Sequence, residues 1–546
     1  MLQTGEESKP VELKAPGKPR SAHPVRDEAI WCICIFAIVF GSMIRFINLD
    51  LKAVCIDEQV TARQVGGYPN DQKMPQAFDS YFPAGKLRDV PLAPNSTIYD
   101  TFEAVRLQTT FNPPIYFLLS RTWAELSGPH SGSLRLLTAI ISLIQIPCFF
   151  LLGIELFASP LTAIIITALA TISPYHLQLS QYARPYALWT VLTLLSSALL
   201  LRASRTGSRK LWIGYGFSAL LDLYTHLSAL RDLLCHLIYG CITKVTDREY
   251  KLSPLLWALV IALLLFVPWL LQMNDHLWTS CRGLNWFIGS SEINQLLMSW
   301  FRQTTEIFLD IDHVAADCQR AIAPLAFASA AAAIVVFLRA APKQARIFLL
   351  TLFGTTFLTL AVPDLLLGGN RTQETRYMMP CVIALQCMVG FAIATIALSR
   401  HRLISATGMG LLVITLATAI FSCYSIVQSK MQWHNWGGDA VQAGTVLNSC
   451  QRAILIGSQK HDRLLVSTLA HELRPDVMIA FSTNEKLLPL PDDATDVFIW
   501  EPTASDLEQL SASGCFVKTF KRISSLGKVF RRAPANSGLN IWPQSR

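Results

Sequence analysis

The chain has 546 residues, of which 52% are apolar and only 15% are charged, and its mean hydropathy is positive. This balance is typical of a membrane protein with several spans and excludes an ordinary soluble enzyme of this length. The formal net charge of +8 does not indicate nucleic-acid binding, because Lys and Arg lie between the apolar runs rather than in one basic stripe.

Residues 1–28 are polar and rich in Pro and Lys. This composition predicts a disordered cytoplasmic tail. The first apolar run follows near 29–48, and no small-residue cleavage site comes after it. We therefore interpret this run as an uncleaved signal anchor.

Apolar runs continue through residue 427 and predict a mainly α, polytopic membrane protein with about eleven transmembrane helices. A span needs roughly 17 to 25 apolar residues, and the run 229–243 is short by that measure. The runs lie near 29–48, 133–157, 160–177, 185–203, 211–228, 229–243, 252–272, 320–338, 346–366, 377–398 and 403–427.

One further run, 111–128, is short, opens with two prolines, and carries Arg121 and Glu125. If this run does not cross the membrane, the later basic loops share one side with the basic tail, as the positive-inside tendency requires. Those loops are 202–210, 244–251, 339–346 and 400–402. We therefore predict a juxtamembrane helix in the outer interface, a cytoplasmic N-terminus, and a multi-pass protein of the plasma or bacterial inner membrane.

This topology leaves three substantial external segments besides short turns, namely a loop of about 49–132, a loop of about 273–319 and a C-terminal domain over 428–546. In the last segment, helical stretches near 438–448 and 464–473 alternate with strand-like runs, which predicts a soluble extracytoplasmic α/β domain. The strand-like runs are 453–457, 477–481, 496–500 and 515–520. No glycine-rich phosphate loop follows them, so we expect a structural or acceptor-docking role.

Polar residues collect in the external loops of this topology. Asp57 and Glu58 follow the first span directly, where an ionised group near hydrocarbon is costly unless it faces water or a partner. The other candidate site residues come from the same loop and from three further ones, and we expect them to converge on one site. They are Asn112, Gln181, Arg184, Tyr186, His226, Arg371, Arg376 and Tyr377.

A carboxylate beside several arginines at a bilayer surface suits a lipid-phosphate substrate, because guanidinium groups bind phosphate oxygens bidentately and stay charged. The carboxylate would take a proton from a hydroxyl that attacks the carbon bearing the phosphate, while the cations stabilise the leaving anion. This chemistry is an inverting glycosyl transfer. One base suffices, because the departing phosphate is a weak base and needs no general acid.

Six motifs resemble those of the GT-C membrane glycosyltransferases of family 39, which includes protein O-mannosyltransferases and bacterial aminoarabinose transferases. They cover residues 30–427 in the order of that family. The motifs are "CIDEQ", "NPPIYFLL", "SLRLLTAIISL", "SPYHLQLSQYARPYALWTVL", "YTHLSAL" and "RYMMPCVIAL". The resemblance implies a GT-C catalytic domain over 29–427.

The resemblance also implies a polyprenyl-phosphate sugar donor, an extracytoplasmic active site and Asp57 as the catalytic base, with Glu58 beside it. The position of Asn112 usually holds His or Lys near the donor phosphate, so phosphate contact would fall on Arg184, Arg371 or Arg376. Tyr186 occupies a position where relatives often carry a second acidic residue, which leaves a divalent cation open. The acceptor would be a lipid, glycan or protein.

Each candidate also has a simpler interpretation. The two carboxylates could form the solvated first turn of a loop helix, the arginines could anchor the chain at the headgroups, and His226 could be a polar residue between helices. Two other classes of function stay open at this point. They are a transporter or flippase of lipid-linked sugars, and an inactive GT-C-like scaffold.

Overall fold

The structure is a computed structural model, and it describes most of the chain. The described residues are 24–69, 80–108, 112–281, 292–310, 316–431, 438–457, 462–481, 496–500, 516–519 and 530–533. The predicted tail lies outside them except at its end, because the first helix begins at Pro24, five residues before the predicted boundary.

Within the described ranges, seventeen α-helices precede the C-terminal segment. They are α1 (Pro24–Ile44), α2 (Ile56–Val65), α3 (Ile98–Gln108), α4 (Ile115–Ser127), α5 (Ser131–Leu143), α6 (Gln145–Phe157), α7 (Pro160–Thr171), α8 (Pro174–Ser180), α9 (Tyr186–Thr206), α10 (Arg209–Leu223), α11 (Ala229–Thr246), α12 (Ser253–Cys281), α13 (Ile293–Glu306), α14 (Ala316–Ala340), α15 (Lys343–Leu367), α16 (Met379–Ala397) and α17 (Arg402–Gln428).

Each predicted apolar run coincides with a helix or a helix pair, but fewer than eleven satisfy the length and hydropathy of a span. Among the described residues seven helices do so, with α5 and α6 counted together, or eight if α7 and α8 form one span bent by 59°. Three of the helices at predicted runs do not meet these criteria. α10 has only 15 residues, and the first turn of α11 carries Arg231 and Asp232. The third is α14. The protein is nevertheless a multi-pass membrane protein.

The interfacial helix predicted over 111–128 is α4, and its 13 residues are too few to cross a bilayer. Arg121 of α4 is buried and donates to Ser96 and to the carbonyl of Val65, while its Nε lies 2.7 Å from the half-exposed Glu125. α4 therefore packs against the first loop through its charged residue.

Close helix crossings in the bundle depend on small residues. A Cβ added to Gly408 of α17 would lie 2.2 Å from the backbone nitrogen of Ala397 of α16, and one added to Gly41 of α1 would lie 2.8 Å from Thr171 O of α7. Helices without a hydrophobic driving force between them associate through such close packing. The spans α9 and α16 lie at the centre, since 72% and 83% of their apolar windows are buried.

The C-terminal segment is the predicted α/β domain. It contains α18 (Gly438–Ser449), α19 (Asp462–Ala470) and strands β2 (Ala453–Gly457), β3 (Met478–Phe481), β4 (Asp496–Trp500), β5 (Phe516–Thr519) and β6 (Phe530–Ala533). β2 pairs in parallel with β3 and with β4, and β5 pairs antiparallel with β6. The predicted helices and strands of this segment are therefore confirmed.

The sheet has one strand that the sequence did not indicate. β1 (Phe82–Pro83) belongs to the first external loop, and it pairs antiparallel with β3, with Phe82 opposite Ile479. The sheet order is β1-β3-β2-β4. A second contact joins the same two segments, because Gln59 Nε2 of α2 lies 2.6 Å from His471 Nε2. The C-terminal domain thus packs directly on the helix that carries Asp57.

Candidate active site

The candidate site begins at α2, the short helix that follows the first span. Asp57 and Glu58 occupy its first turn, where carboxylates meet the partial positive charge of the helix N-terminus. The backbone N–H of Cys55 donates to Glu58 Oε2 at 3.4 Å and helps to fix that turn. The two neighbouring carboxylates nevertheless have different partners.

Glu58 is buried in a bidentate ion pair with Arg135 of α5. Arg135 Nη2 lies 2.6 Å from Glu58 Oε2, and Arg135 Nε lies 2.8 Å from Glu58 Oε1. The side chains are 2% and 0% exposed, and the backbone N–H of Ala183 also donates to Glu58. Arg135 donates further to the carbonyls of Leu49, Lys52 and Ala53. These contacts bury the Glu58 carboxylate against α5 and the Ala183 backbone, next to Asp57 in the chain but with different partners.

Asp57 faces a different set of groups and remains accessible, with its side chain one third exposed. Its Oδ2 accepts a hydrogen bond from the Tyr182 hydroxyl at 2.8 Å and lies 2.5 Å from Arg376 Nη1. Arg376 Nη1 also donates to the Tyr182 hydroxyl at 3.1 Å. Residues 57, 182 and 376 are distant in the sequence, so the fold brings a carboxylate, a phenol and a guanidinium to one point.

Arg184 supplies a second cation to this cluster. Its Nη1 donates to the carbonyl of Asp57 at 3.3 Å and to Thr61 Oγ1 at 3.2 Å. Burial by itself would lower the pKa of Arg184, but the charge of Asp57 and the neighbouring phenols raise it above its ordinary value. Arg184 therefore stays a cation beside the carboxylate.

The two guanidinium groups control the protonation of Asp57. Burial by itself would raise the pKa of this carboxyl, but the charges of Arg376 and Arg184, together with hydrogen bonds from Tyr182 and Arg376, lower the pKa to about 2. Asp57 is therefore ionised at neutral pH. In this state it is also a weak base, because Arg376 stabilises its charge.

Aromatic rings form the wall beside the arginines. The rings of Tyr182 and Tyr186 are stacked at 5.8 Å, and Tyr377 and His226 lie against Tyr186. The guanidinium of Arg376 lies 5.9 Å from the Tyr186 ring and 5.4 Å from the Tyr377 ring, which is within cation–π range. Such rings offer faces on which the apolar side of a sugar can pack.

His226 belongs to this wall as a neutral ring. It stacks on Trp189 at 4.7 Å, and its Nδ1 accepts a hydrogen bond from the Ser228 backbone. Burial lowers the pKa of His226 well below its ordinary value, and nearby arginines lower it further. An uncharged imidazole adds no cation for a phosphate.

Three predicted residues lie apart from the Asp57 carboxylate. Arg371 Nη1 pairs with Asp364 Oδ1 at 3.0 Å and fixes the turn after α15. Gln181 is buried and donates to the carbonyls of Arg45 and Ile47 at the end of α1. Asn112 is half-buried in the bend before α4. Arg371 and Gln181 therefore have partners other than the Asp57 carboxylate, and their predicted roles in phosphate binding and in the substrate cavity stay predictions.

The carboxylates of the site do not form a metal site with other residues. No group of three or more His, Cys, Asp or Glu side chains in the described part of the chain is placed to hold a metal ion. Asp57 is engaged by Arg376, and Glu58 by Arg135. Carboxylates already neutralised by arginines are a poor ligand set for a divalent cation. The divalent cation that the sequence left open therefore does not fit these residues.

Two residues of the site escaped the sequence analysis, although both lie within the quoted motifs. Tyr182 stands in "SQYARPY" and Arg135 in "SLRLL". The signal for Arg135 was a single cation in the first turns of an otherwise apolar helix, where it must have a buried partner. Tyr182 gave no comparable signal, because a tyrosine near a membrane surface is common.

The chain was compared with known proteins. No family model and no curated protein matches it in sequence. Its structure is similar to ArnT from Cupriavidus metallidurans in the apo state, with 13% identity and a TM-score of 0.52 over 92% of this chain and 98% of that one. ArnT bound to undecaprenyl phosphate gives 12% identity and a TM-score of 0.50 over 93% and 98%. The oligosaccharyltransferase of Archaeoglobus fulgidus matches with 12% identity and a TM-score of 0.47, over 81% of this chain and 62% of that one.

The two ArnT structures decide the fold. They match almost the whole of both chains, from the membrane helices to the C-terminal domain. The chain therefore has the GT-C fold, as the sequence predicted.

Proposed function

Since the chain has the GT-C fold, we propose that it is an integral membrane glycosyltransferase. It transfers a sugar from a polyprenyl-phosphate carrier to an acceptor hydroxyl at the outer face of the membrane, with inversion at the anomeric carbon. The observation that carries the proposal is the contact of Asp57, Tyr182 and Arg376, with Arg184 beside them. One accessible carboxylate and two cations are the groups that this reaction requires.

The lipid phosphate would bind to Arg376 and Arg184. Guanidinium groups hold phosphate oxygens bidentately and keep their charge in a partly buried site. ArnT, which shares the fold, has been solved with undecaprenyl phosphate bound. That complex supports a polyprenyl phosphate as the carrier here.

The reaction uses one base. The acceptor hydroxyl oxygen attacks the anomeric carbon, its proton passes to the Asp57 carboxylate, and the bond from that carbon to the phosphate oxygen breaks. The electron pair leaves with the phosphate, whose charge Arg376 and Arg184 neutralise. Because Arg376 is bound to Asp57 in the free protein, phosphate binding draws Arg376 away from the carboxylate and makes Asp57 a stronger base.

The site faces the side opposite the basic loops. α9 begins at the site with Tyr186 and ends near Arg202 and Arg205, and α16 begins beside Arg376 and ends near Arg400 and Arg402. The positive-inside tendency places those basic ends in the cytoplasm. This argument supports an extracytoplasmic site, a cytoplasmic N-terminus and an extracytoplasmic C-terminal domain in the plasma or bacterial inner membrane.

The proposal is tested with full-length protein in nanodiscs and a panel of radiolabelled sugars linked to undecaprenyl or dolichyl phosphate. We expect at least one label to leave its carrier, for an acceptor in host membrane extract or slowly for water. If every label stays on its carrier, the protein is not this kind of enzyme. A label that crosses the bilayer while still attached to its lipid would instead indicate a flippase.

A pair of arginine variants tests whether Arg376 binds the donor phosphate. Arg376→Lys keeps the charge but removes the guanidinium fork, and we expect it to lower kcat/KM for the donor about 100-fold. Arg371→Lys is the matched control, because the Arg371 guanidinium is bound to Asp364. We expect less than about a threefold effect from it. Equal losses of kcat/KM in the two variants would show that Arg376 does not bind the donor phosphate.

The pH dependence tests the exchange of partners on Asp57. A depressed carboxyl pKa keeps the group ionised above that pKa, so activity falls only as the pH drops through it. In the free protein the pKa is about 2, and after Arg376 moves to phosphate it returns toward the ordinary 3.8 or above. We therefore expect the acid limb of kcat at higher pH than the acid limb of kcat/KM. Coincident limbs would show that Arg376 does not move.

A further inference from the structure

A cavity adjoins the cluster of Asp57, Arg376 and Arg184. It has a volume of about 470 Å³ and lies between α13 and the turn 370–374. This volume is within the range of small-ligand sites. Its lining residues are Gln295, Met298, Ser299, Arg302, Asn370, Gln373 and Glu374.

Glu374 connects this cavity to the reacting groups. Its Oε2 lies 3.3 Å from Arg376 Nη2, while Arg376 Nη1 lies 2.5 Å from Asp57 Oδ2. The cavity and the Asp57 carboxylate are therefore separated by one guanidinium group. A ligand in the cavity reaches the carboxylate when Arg376 moves from Asp57 to the donor phosphate, as the proposed mechanism requires.

The chemistry of the lining favours hydroxyl groups over an anion. Glu374 contributes a carboxylate, and the charge of Arg302 is met by Glu306 at 2.6 Å. A phosphate would be repelled by Glu374, and the cation among the described lining residues, Arg302, is already paired. Amide and carboxylate oxygens together with amide N–H groups instead match the vicinal hydroxyls of a sugar.

Asn370 offers an unused hydrogen-bond acceptor at this cavity. Asn370 Oδ1 is buried, and within the described ranges no donor reaches it. A buried acceptor without a hydrogen bond is costly, and a ligand hydroxyl would satisfy it. Ser299 Oγ accepts a hydrogen bond from Gln303, which leaves the Ser299 hydroxyl hydrogen available as a donor.

We propose that this cavity binds the sugar of the acceptor and presents its hydroxyl to Asp57. The inference rests on the proposed glycosyl transfer and adds that the acceptor is a carbohydrate. Ile293 and Leu297 of α13 are 59% and 51% exposed beside the cavity, so the helix offers an apolar surface to the bilayer. The sugar can therefore belong to a lipid-anchored or to a soluble glycan.

The test is photolabelling of the full-length protein in nanodiscs. The probes are hexyl glycosides of glucose, mannose, galactose and N-acetylglucosamine that carry a diazirine. We expect labelling of peptides from α13 or 370–374, with competition by the matching methyl glycoside and none by hexyl phosphate. Stronger competition by a dolichyl-phosphate analogue than by the methyl glycoside would restrict the cavity to the donor and overturn the inference.

Variants show whether the lining binds the probe. The double variant Gln295→Ala/Asn370→Ala removes two hydrogen-bonding side chains and should weaken probe binding about tenfold. Thr304→Ala is the matched control on the same helix, because its hydroxyl only donates back to Trp300 O. Unchanged binding in the double variant would end the proposal.

The two proposals fail separately. Sugar release from a carrier without glycoside labelling of these peptides would refute the carbohydrate cavity and retain the transferase. Labelling of these peptides in a protein that releases no sugar from any carrier would refute the transferase alone. Competition by alkyl glycosides of increasing chain length distinguishes the acceptor types, because competition should strengthen with chain length if the acceptor is a lipid-anchored glycan and should not if it is a soluble one.

Discussion

Replacing Asp57 by Asn should lower the rate of sugar transfer between about 100-fold and 10,000-fold, which is the usual contribution of a general base. The amide keeps the size of the side chain but cannot take the proton of the attacking hydroxyl. Undecaprenyl phosphate should bind no more weakly than to the unaltered protein, because the competitor of the phosphate for Arg376 has been neutralised. A loss of rate with retained binding separates a missing base from a misfolded protein.

The rate is measured in a single turnover with saturating donor. Asp89→Asn is the matched control, since Asp89 is an exposed carboxylate in the same loop, and it should transfer sugar as fast as the unaltered protein. Unchanged transfer in the Asp57 variant would exclude the proposed mechanism. Loss of lipid binding in that variant would reassign Asp57 to the architecture of the site.

Removal of Arg135 should destabilise the protein by about 3 to 5 kcal/mol, because it leaves the Glu58 carboxylate buried without its partner. Arg135→Met keeps much of the side-chain volume and removes the charge. The expected result is a large fall in the unfolding temperature of the detergent-solubilised protein and poor recovery from membranes. The double variant Glu58→Leu/Arg135→Met should recover much of this loss, since it removes both charges.

The control for this prediction is an ion pair of the same loop that is partly exposed. Arg106 and Glu103 are three residues apart on α3, and their side chains are 29% and 23% exposed. Arg106→Met should cost no more than about 0.5 kcal/mol. A similar small effect of Arg135→Met would mean that the pair with Glu58 does not hold α2 in place.

The roles of the two adjacent carboxylates show where sequence reasoning stops. Asp57 and Glu58 are chemically alike and neighbours on α2, and the sequence could not assign their partners. The helix turns about 100° per residue, so one side chain faces the arginines and the other faces α5. Only the packing of α5 and the turn 181–185 decides that Glu58 is the buried one.

The same limit applies to the arginines of the last loop. Arg371 and Arg376 stand five residues apart in "RTQETR" and could not be ranked as phosphate ligands from the sequence. The carboxylate of Asp364, at the end of α15, binds Arg371 and leaves Arg376 to reach Asp57. Asp364 lies within an apolar run, and a buried carboxylate there signals a nearby cation.

Much of the architecture was accessible from composition and periodicity. Helices with long apolar stretches, and the βα alternation of the C-terminal segment, were predicted at nearly their observed bounds. The pairing of Phe82–Pro83 with β3 was not predicted, because two residues give no periodic signal and they form a strand only by pairing with β3. Among the described residues, fewer helices than the eleven predicted runs meet the length and hydropathy of a span, because helices such as α10 are apolar but short.

In the proposed mechanism Arg376 binds the Asp57 carboxylate in the free protein and the lipid phosphate in the donor complex. A cryo-electron microscopy structure of the protein in nanodiscs with undecaprenyl phosphate tests it directly. We expect the phosphate within hydrogen-bonding distance of Arg376 and Arg184, and an Arg376–Asp57 separation longer than the 2.5 Å of the free protein. A phosphate bound elsewhere, with Arg376 still on Asp57, would contradict the account.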